Sequence, residues 1–233
     1  MPSAKVGSAL DDDKEQEMSD LARRFSALLA ETRVYAVTDD GLPPQTTRAI
    51  VEALLAAGVR LFQYRDKRSS DQERFEAVGS LAELVHRQGG LLIVNDRVDL
   101  AIAAGADGAH LGQDDLPLEI GRALLGPDRI LGASASYLHE LAPAVAAGID
   151  YLGFGAVYST DTKPDAELAG LDLLGQACAQ VPVPVVGIGG ITLERAPEVV
   201  ARGAAGVAVV SALFRAADPE KAARELLIAL RSN

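Results

Sequence analysis

One cysteine, Cys178, occurs in 233 residues. An intramolecular disulfide and a four-cysteine metal cluster are therefore both excluded. So little cysteine fits a reducing compartment, and the cytoplasm is the expected location. Tryptophan is absent and aromatics make up 4%, too little for a base-stacking platform. Basic residues are scarce: 22 stand against 33 acidic ones, for a net charge of −11. That balance argues against a nucleic-acid partner and against an anionic membrane surface, both of which are bound through basic patches. It leaves open a small anionic substrate in a locally positive pocket. No apolar run reaches the roughly 18 residues that a membrane helix needs. The N-terminus also lacks the basic-then-apolar order of a secretion signal.

Apolar residues make up 48% of the chain, enough at this length to bury a full core without staples. The first 20 residues differ from the rest. They hold Asp11, Asp12, Asp13, Glu15, Glu17 and Asp20 against Lys5 and Lys14, and few large apolar side chains. Residues 1–20 are therefore expected to be an acidic, solvated extension, because burial there cannot offset the entropy of ordering. Leu21, Phe25, Leu28 and Leu29 then recur at helical spacing, with Ser19 placed as N-cap. This helix is expected to cover the bottom of the main fold.

Short β-prone runs follow at Arg33–Thr38, Arg60–Tyr64, Leu91–Asn95, Gly108–Leu111, Ile130–Ala133, Tyr151–Phe154, Val185–Ile188 and Gly206–Val210. Helical patterns separate them, at Gln45–Ala57, Asp71–Gln88, Val98–Ala104, Pro117–Leu125, Leu138–Ala147, Leu171–Gln180 and Leu193–Arg202, and Pro219–Arg231 closes the chain. Several helices run into glycine before the next strand, at Gly58, Gly105, Gly148 and Gly203, the usual helix stop. Most strands are continuously apolar, as in a parallel sheet covered on both faces. Alternation of this kind leaves a closed barrel or a doubly wound open sheet. After the first strand stands Thr38-Asp39-Asp40-Gly41 and not a glycine-rich dinucleotide fingerprint. The count of eight favours a (β/α)8 TIM barrel: one α/β domain over residues 21–233 behind an N-terminal helical extension.

In such a barrel the C-terminal strand ends form the mouth of the active site. Here they carry Gln63-Tyr64-Arg65-Asp66-Lys67, Asn95-Asp96-Arg97, His110 through Asp115, Ser134, the run Tyr158-Ser159-Thr160-Asp161-Thr162-Lys163, Gly187-Ile188-Gly189-Gly190, and Val210-Ser211. Arg65, Lys67 and Lys163 can surround a polyanion, the arginine as a planar fork and the lysines as point charges. Asp96 and Asp115 come from neighbouring strand ends. Two carboxylates together with substrate phosphates are a common way to hold Mg²⁺, so this part of the rim suits a metal-bound diphosphate. At the last two strands Gly189-Gly190 and the short helical stretch after Ser211 suggest a second anion site made of backbone donors. Two anion sites imply a two-substrate enzyme.

In order along the chain, Tyr35-Ala36-Val37-Thr38-Asp39, Gln63 to Lys67, Val94 to Arg97, Gly105 to Pro117, Gly132 to Ser134, Thr160 to Pro164, Gly187 to Ile191 and Val210-Ser211 resemble the thiamine-phosphate synthase (thiamine phosphate pyrophosphorylase) family. The resemblance covers about residues 33–220. It implies a single barrel that joins 4-amino-2-methyl-5-hydroxymethylpyrimidine diphosphate to hydroxyethylthiazole phosphate, or its carboxylate, and releases diphosphate. Ionisation of the pyrimidine comes first, and the thiazole nitrogen then attacks. By motif match Gln63, Arg65, Lys67, Asn95, Ser134 and Lys163 contact the pyrimidine diphosphate. Asp96 and Asp115 bind Mg²⁺, and Thr160, Thr162, Gly190, Val210 and Ser211 hold the thiazole phosphate. Within these, Arg65, Lys67, Ser134 and Lys163 form the catalytic set; Tyr64, Asp66 and Asp161 complete the substrate-binding one. The sequence leaves a homo-oligomer open.

Blander roles stand beside these. Asp66 orients the neighbouring cations, Asp96 is placed to cap the next helix, and Tyr64 either lines the pyrimidine pocket or packs. His110 reads as a core or supporting histidine, His86 and His139 as surface residues, and Cys178 as packing. Two other functions share the pattern: a thiazole tautomerase, which has no use for a metal-bound diphosphate, and a silent sensor of thiamine precursors. The presence of Asn95, Asp96, Asp115 and Lys163 favours the synthase over both.

Overall fold

Eight short parallel strands close on themselves in sequence order, β1 pairing with both β2 and β8. They are β1 Val34–Val37, β2 Leu61–Tyr64, β3 Leu91–Asn95, β4 Gly108–Leu111, β5 Ile130–Ala135, β6 Tyr151–Phe154, β7 Val185–Ile188 and β8 Gly206–Val209. The computed structural model describes residues 18–160 and 167–231. The helices around the barrel are α1 Asp20–Thr32, α2 Pro44–Ala57, α3 Asp71–Arg87, α4 Val98–Ala103, α5 Leu118–Leu125, α6 Leu141–Ala146, α7 Gly170–Gln180, α8 Ala196–Ala201, α9 Ser211–Phe214 and α10 Pro219–Arg231. None of the described helices is long and apolar enough to cross a membrane. Most of the acidic N-terminal segment lies outside the described residues.

Alternation along each strand sorts side chains into two layers. Tyr35, Val37, Leu61, Leu91, Ile93, Ile130, Tyr151, Val186 and Ala208 point inward and form one buried cluster with Phe25 and Leu29 of α1. Outward residues such as Phe62, Leu92, Leu152 and Val207 pack with Leu54, Val78, Leu174 and Leu226 of the helices. Helix α1 starts where expected, because the Ser19 hydroxyl accepts from the Ala22 N–H at 3.1 Å. Its Phe25 ring is fully buried and stacks on Tyr151 with centroids 4.4 Å apart. This helix therefore plugs the bottom of the barrel.

Two aspartates pin neighbouring strands at that same end. Asp107 accepts from the Leu92 N–H at 2.7 Å and from His86 at 2.8 Å. Asp150 accepts from the Leu131 N–H at 2.7 Å and from Arg122 at 2.6 Å. His86 is exposed, as expected, and is also the outer partner of Asp107. Gly58, Gly105, Gly148 and Gly203 all take positive φ at helix ends, as expected.

Three elements differ from the sequence expectation by more than a residue at one end. The pattern over Leu138–Ala147 divides into a 3-10 turn, Leu138–Glu140, and α6, since Pro143 has no N–H to bond back into a longer helix. Likewise α8 starts at Ala196, not Leu193, placing Pro197 in its first turn, where a missing N–H costs nothing. Strand β5 runs on to Ala135, so Ser134 lies within a strand and its direction is fixed by the barrel.

Candidate active site

Inward parity carries upward from the core to the mouth. On β2 Leu61 and Gln63 face in, on β3 Ile93 and Asn95, on β4 His110, and on β5 Gly132 and Ser134. Asn95 stands opposite His110 in the strand register, and Ser134 opposite Gly153. Four of the predicted site residues, Gln63, Arg65, Asn95 and Ser134, thus share one face by strand geometry alone. Tyr64 has the opposite parity. It is 5% exposed within the layer between barrel and helices, and its hydroxyl donates to Asp66 Oδ2 at 3.1 Å. Burial and the nearby Asp66 charge push its phenol well above the usual range. The structure therefore does not bring Tyr64 to the mouth with the others; it resolves the two sequence readings toward packing.

Asp66 acts on the backbone. Its Oδ1 accepts from the N–H groups of Arg68 and Ser69 at 2.8 and 3.0 Å, shaping the loop that carries Lys67. The cations themselves have other partners. Arg65 donates to Asp40 Oδ2 at 2.8 Å, and its main chain is clamped to Thr38 Oγ1. Lys67 Nζ lies 3.2 Å from Asp96 Oδ2. Both pairs join residues of adjacent strand ends, which holds the positive charge at the rim.

Asp96 is one of two described non-glycine residues with positive φ, at 63°, a conformation that aspartate tolerates better than most. Helix α4 is capped by Arg97 with no side-chain cap bond, so the capping role considered for Asp96 is not taken. Asp115 accepts from the Gly112 N–H at 2.7 Å. Its carboxyl is held above the usual carboxylate range by burial first, with the Gly112 bond opposing and the Asp96 carboxylate adding to the rise. Two acidic groups therefore crowd one another beside a single lysine. Among the described residues no group of three or more His, Cys, Asp or Glu is arranged to hold a metal ion.

Loops six and seven interlock. Tyr158 N–H donates to the Gly189 carbonyl at 3.1 Å and Val157 N–H to that of Ile188 at 2.8 Å. A Cβ on Gly190 would fall 2.3 Å from the Ser159 carbonyl, and Gly190 has φ 61°. Glycine there allows the two loops to touch, a reason beyond ligand approach that the sequence did not reveal. Arg195 donates to the Gly190 carbonyl at 2.8 Å and lies over the Tyr158 ring. Thr160 sits half-buried at the end of this loop. Val210 precedes the single turn of α9, and Ser211 opens it. The remaining predicted site residues Asp161, Thr162 and Lys163 lie outside the described residues.

Sequence reasoning missed the groups that tie the rim together. Asp39 is buried and pairs with Arg215 of the segment after α9; that bond, against the cost of burial, holds its carboxyl below the usual range. Asp40 and the Gln113 side chain, which donates to the Ser134 carbonyl at 2.8 Å, were also passed over. The adjacent acids Asp39-Asp40 at a strand end were the available signal. Tyr35 and Tyr151, which with His110 link Gln63 to Ser134 inside the barrel, were visible only as polar residues at inward parity, whereas His110 is the buried, supporting histidine that the sequence suggests.

With this geometry in view, the chain can be set beside known proteins. The family model of thiamine monophosphate synthase matches residues 34–213. A thiamine-phosphate synthase of Chloroflexus aurantiacus is 46% identical over 202 residues, 86% of this chain and 93% of that protein. A thiamine biosynthesis bifunctional protein of Symbiobacterium thermophilum is 47% identical over 85% of this chain but only 41% of its own length. The chain spans 41%, 56% and 60% of three of the curated relatives it matches. A solved thiamine phosphate pyrophosphorylase from Pyrococcus furiosus superposes with a TM-score of 0.81 at 37% identity, covering 88% of this chain and 98% of that one. The ordered motifs, the closed eight-stranded barrel and these matches agree: the chain belongs to the thiamine monophosphate synthase family.

Proposed function

We propose that the protein is a thiamine-phosphate synthase. It condenses 4-amino-2-methyl-5-hydroxymethylpyrimidine diphosphate with hydroxyethylthiazole phosphate, or its carboxylate, to give thiamine phosphate and diphosphate. The observation that carries this reading is the meeting of Lys67 with Asp96, 3.2 Å apart, and of Asp96 with Asp115 at adjacent strand ends, beside Arg65, which is held by Asp40. A site for a thiazole phosphate alone has no use for two crowded carboxylates.

The donor set fits Mg²⁺. Asp96 and Asp115 offer hard oxygen ligands whose mutual repulsion a divalent cation relieves, and the remaining positions suit water and phosphate oxygens. Bound there, Mg²⁺ would supply electrostatic neutralisation of the departing diphosphate. The protein's own part is cationic. Arg65 and Lys67, joined by Lys163, meet negative charge as it grows on the leaving oxygens, where stabilisation lowers the barrier. Gln63, Asn95 and Ser134, facing inward together, hold the pyrimidine ring over the barrel axis. Thr160, Thr162, Gly190, Val210 and Ser211 hold the thiazole phosphate. The thiazole nitrogen brings a free lone pair, so the reaction asks for no general base. The reaction is placed in the cytoplasm, with neither nucleic acid nor membrane as partner.

The test is an assay for thiamine phosphate from both substrates, with and without Mg²⁺. Product is expected only with the metal; its absence at every metal concentration would sink the synthase reading. A second expected outcome concerns Lys163. Lys163→Ala should lower kcat/KM for the pyrimidine diphosphate by about a hundredfold while leaving the KM for thiazole phosphate within about twofold. Equal losses on both substrates would reassign Lys163.

A further inference from the structure

Beneath the mouth runs a buried chain of hydrogen bonds that joins two of the inward-facing site residues. Gln63 Nε2 donates to the Tyr35 hydroxyl at 3.2 Å. The Tyr35 and Tyr151 hydroxyls are 2.8 Å apart. Tyr151 Oη is 2.9 Å from His110 Nδ1, and His110 Nε2 is 2.9 Å from Ser134 Oγ. Tyr35 and Tyr151 are at most 2% exposed, Gln63 5% and His110 8%.

The barrel makes room for these rings. A Cβ at Gly132 would lie 2.2 Å from Tyr151 Cζ, and one at Gly153 would lie 3.2 Å from His110 Cε1. Apolar side chains at these positions would give a simpler core, since a polar chain of this kind must be fully satisfied to be tolerated.

The direction of the chain follows from counting protons. An amide nitrogen only donates, so the Tyr35 oxygen accepts from Gln63. Among the described residues the Tyr35 proton then has one acceptor, the Tyr151 oxygen, and leaving it unpaired in the core would be costly. The Tyr151 proton goes in turn to His110 Nδ1. Nδ1, taken up in accepting that proton, carries no hydrogen of its own, so the buried ring has one N–H, on Nε2. That N–H donates to Ser134 Oγ, and the Ser134 proton is left to point into the mouth.

We propose that this chain is a polarity lock, in which Tyr35, Tyr151 and His110 are positioning residues that make Ser134 a hydrogen-bond donor to the substrate. The substrate group that faces Ser134 is therefore an acceptor, either an unprotonated pyrimidine ring nitrogen or a phosphate oxygen, and not an exocyclic amine. The inference rests on the synthase reading for the identity of the substrate, but the lock itself does not depend on it.

The first measurement is made on the wild-type protein. Ring nitrogen chemical shifts of ¹⁵N-histidine-labelled protein near neutral pH, with the His110 signals identified by their loss in His110→Gln, should show Nε2 protonated and Nδ1 bare. The opposite tautomer, or a doubly protonated ring, overturns the proposal whether or not the protein makes thiamine phosphate. The second measurement is kinetic. Tyr151→Phe should lower kcat/KM for the pyrimidine diphosphate about tenfold with the thiazole phosphate KM within about twofold. His110→Gln, which places an amide N–H where Nε2 stood, should retain about tenfold more activity than His110→Ala. Equal losses on both substrates, or no advantage of glutamine over alanine, would make the array merely structural and overturn the proposal. Calorimetric titration of Ser134→Ala with inorganic diphosphate and with the unphosphorylated pyrimidine alcohol identifies the acceptor: whichever probe is weakened carries it. A loss for neither probe overturns the donor role. Should the wild-type protein form no product, the synthase reading fails while the tautomer result still decides the lock.

Discussion

Asp115→Asn is expected to lower turnover by about three orders of magnitude while the barrel stays folded. The carboxylate has two separable tasks. One is to accept the Gly112 N–H at 2.7 Å, which an asparagine oxygen can also do. The other is to bring negative charge next to Asp96, which asparagine cannot. Burial already holds the Asp115 carboxyl above its usual range despite the Gly112 N–H and the nearby Lys67, so one lysine does not offset two charges there; a divalent cation would. Asp96→Asn should have a comparable effect, with the added consequence that Lys67 loses the ion pair it makes at 3.2 Å. Turnover measured over a Mg²⁺ series, beside a thermal melt of each variant, checks both. Full activity in the two variants would mean that the metal site lies elsewhere. A fall in activity that tracks a fall in melting temperature would mean that the carboxylates serve the fold.

Much of this site was legible because a closed barrel converts position in sequence into position in space. Once eight strands are counted, a polar residue at a strand's C-terminal end must lie at the mouth. Arg65, Lys67, Asp96 and Asp115 can be found that way, and Lys67 lies 3.2 Å from Asp96. What sequence could not convey is parity within a short strand end. Gln63 and Tyr64 are neighbours in one motif, yet one turns toward the Tyr35 hydroxyl inside the barrel and the other into the helix layer. Nor could it convey pairings between distant loops. Asp39 and Arg215 stand 176 residues apart, and no local pattern links them. The glycines of the Gly187 to Ile191 motif were legible as glycines, but Gly190 also serves the contact with Ser159, which depends on how two loops meet. The apolar spacing predicts a helix over Leu193–Arg202 that is too long, because it persists through residues that form only a turn before Pro197.

The plug at the bottom of the barrel should matter as much for stability as the carboxylates do for turnover. Phe25→Ala is expected to cost about 3–5 kcal/mol and to lower the melting temperature by roughly 10 °C. The ring is fully buried, stacks on Tyr151 at 4.4 Å and meets Tyr35 edge-on at 5.7 Å. Its removal leaves a cavity that the barrel cannot close, because Tyr35 and Tyr151 are each held by hydrogen bonds from above. The two tyrosines are also the middle of the chain that ends at Ser134. Loosening them from below should therefore reach the mouth: kcat/KM for the pyrimidine diphosphate should fall a fewfold at a temperature where Phe25→Ala is still folded, with the thiazole phosphate KM unmoved. Phe25→Leu refills most of the volume and should recover about half of the lost stability. Scanning calorimetry and steady-state kinetics on the two variants test both consequences. A Phe25→Ala protein as stable as the wild type would show that α1 does not seal the barrel, and normal kinetics in a destabilised variant would separate the plug from the hydrogen-bond chain above it.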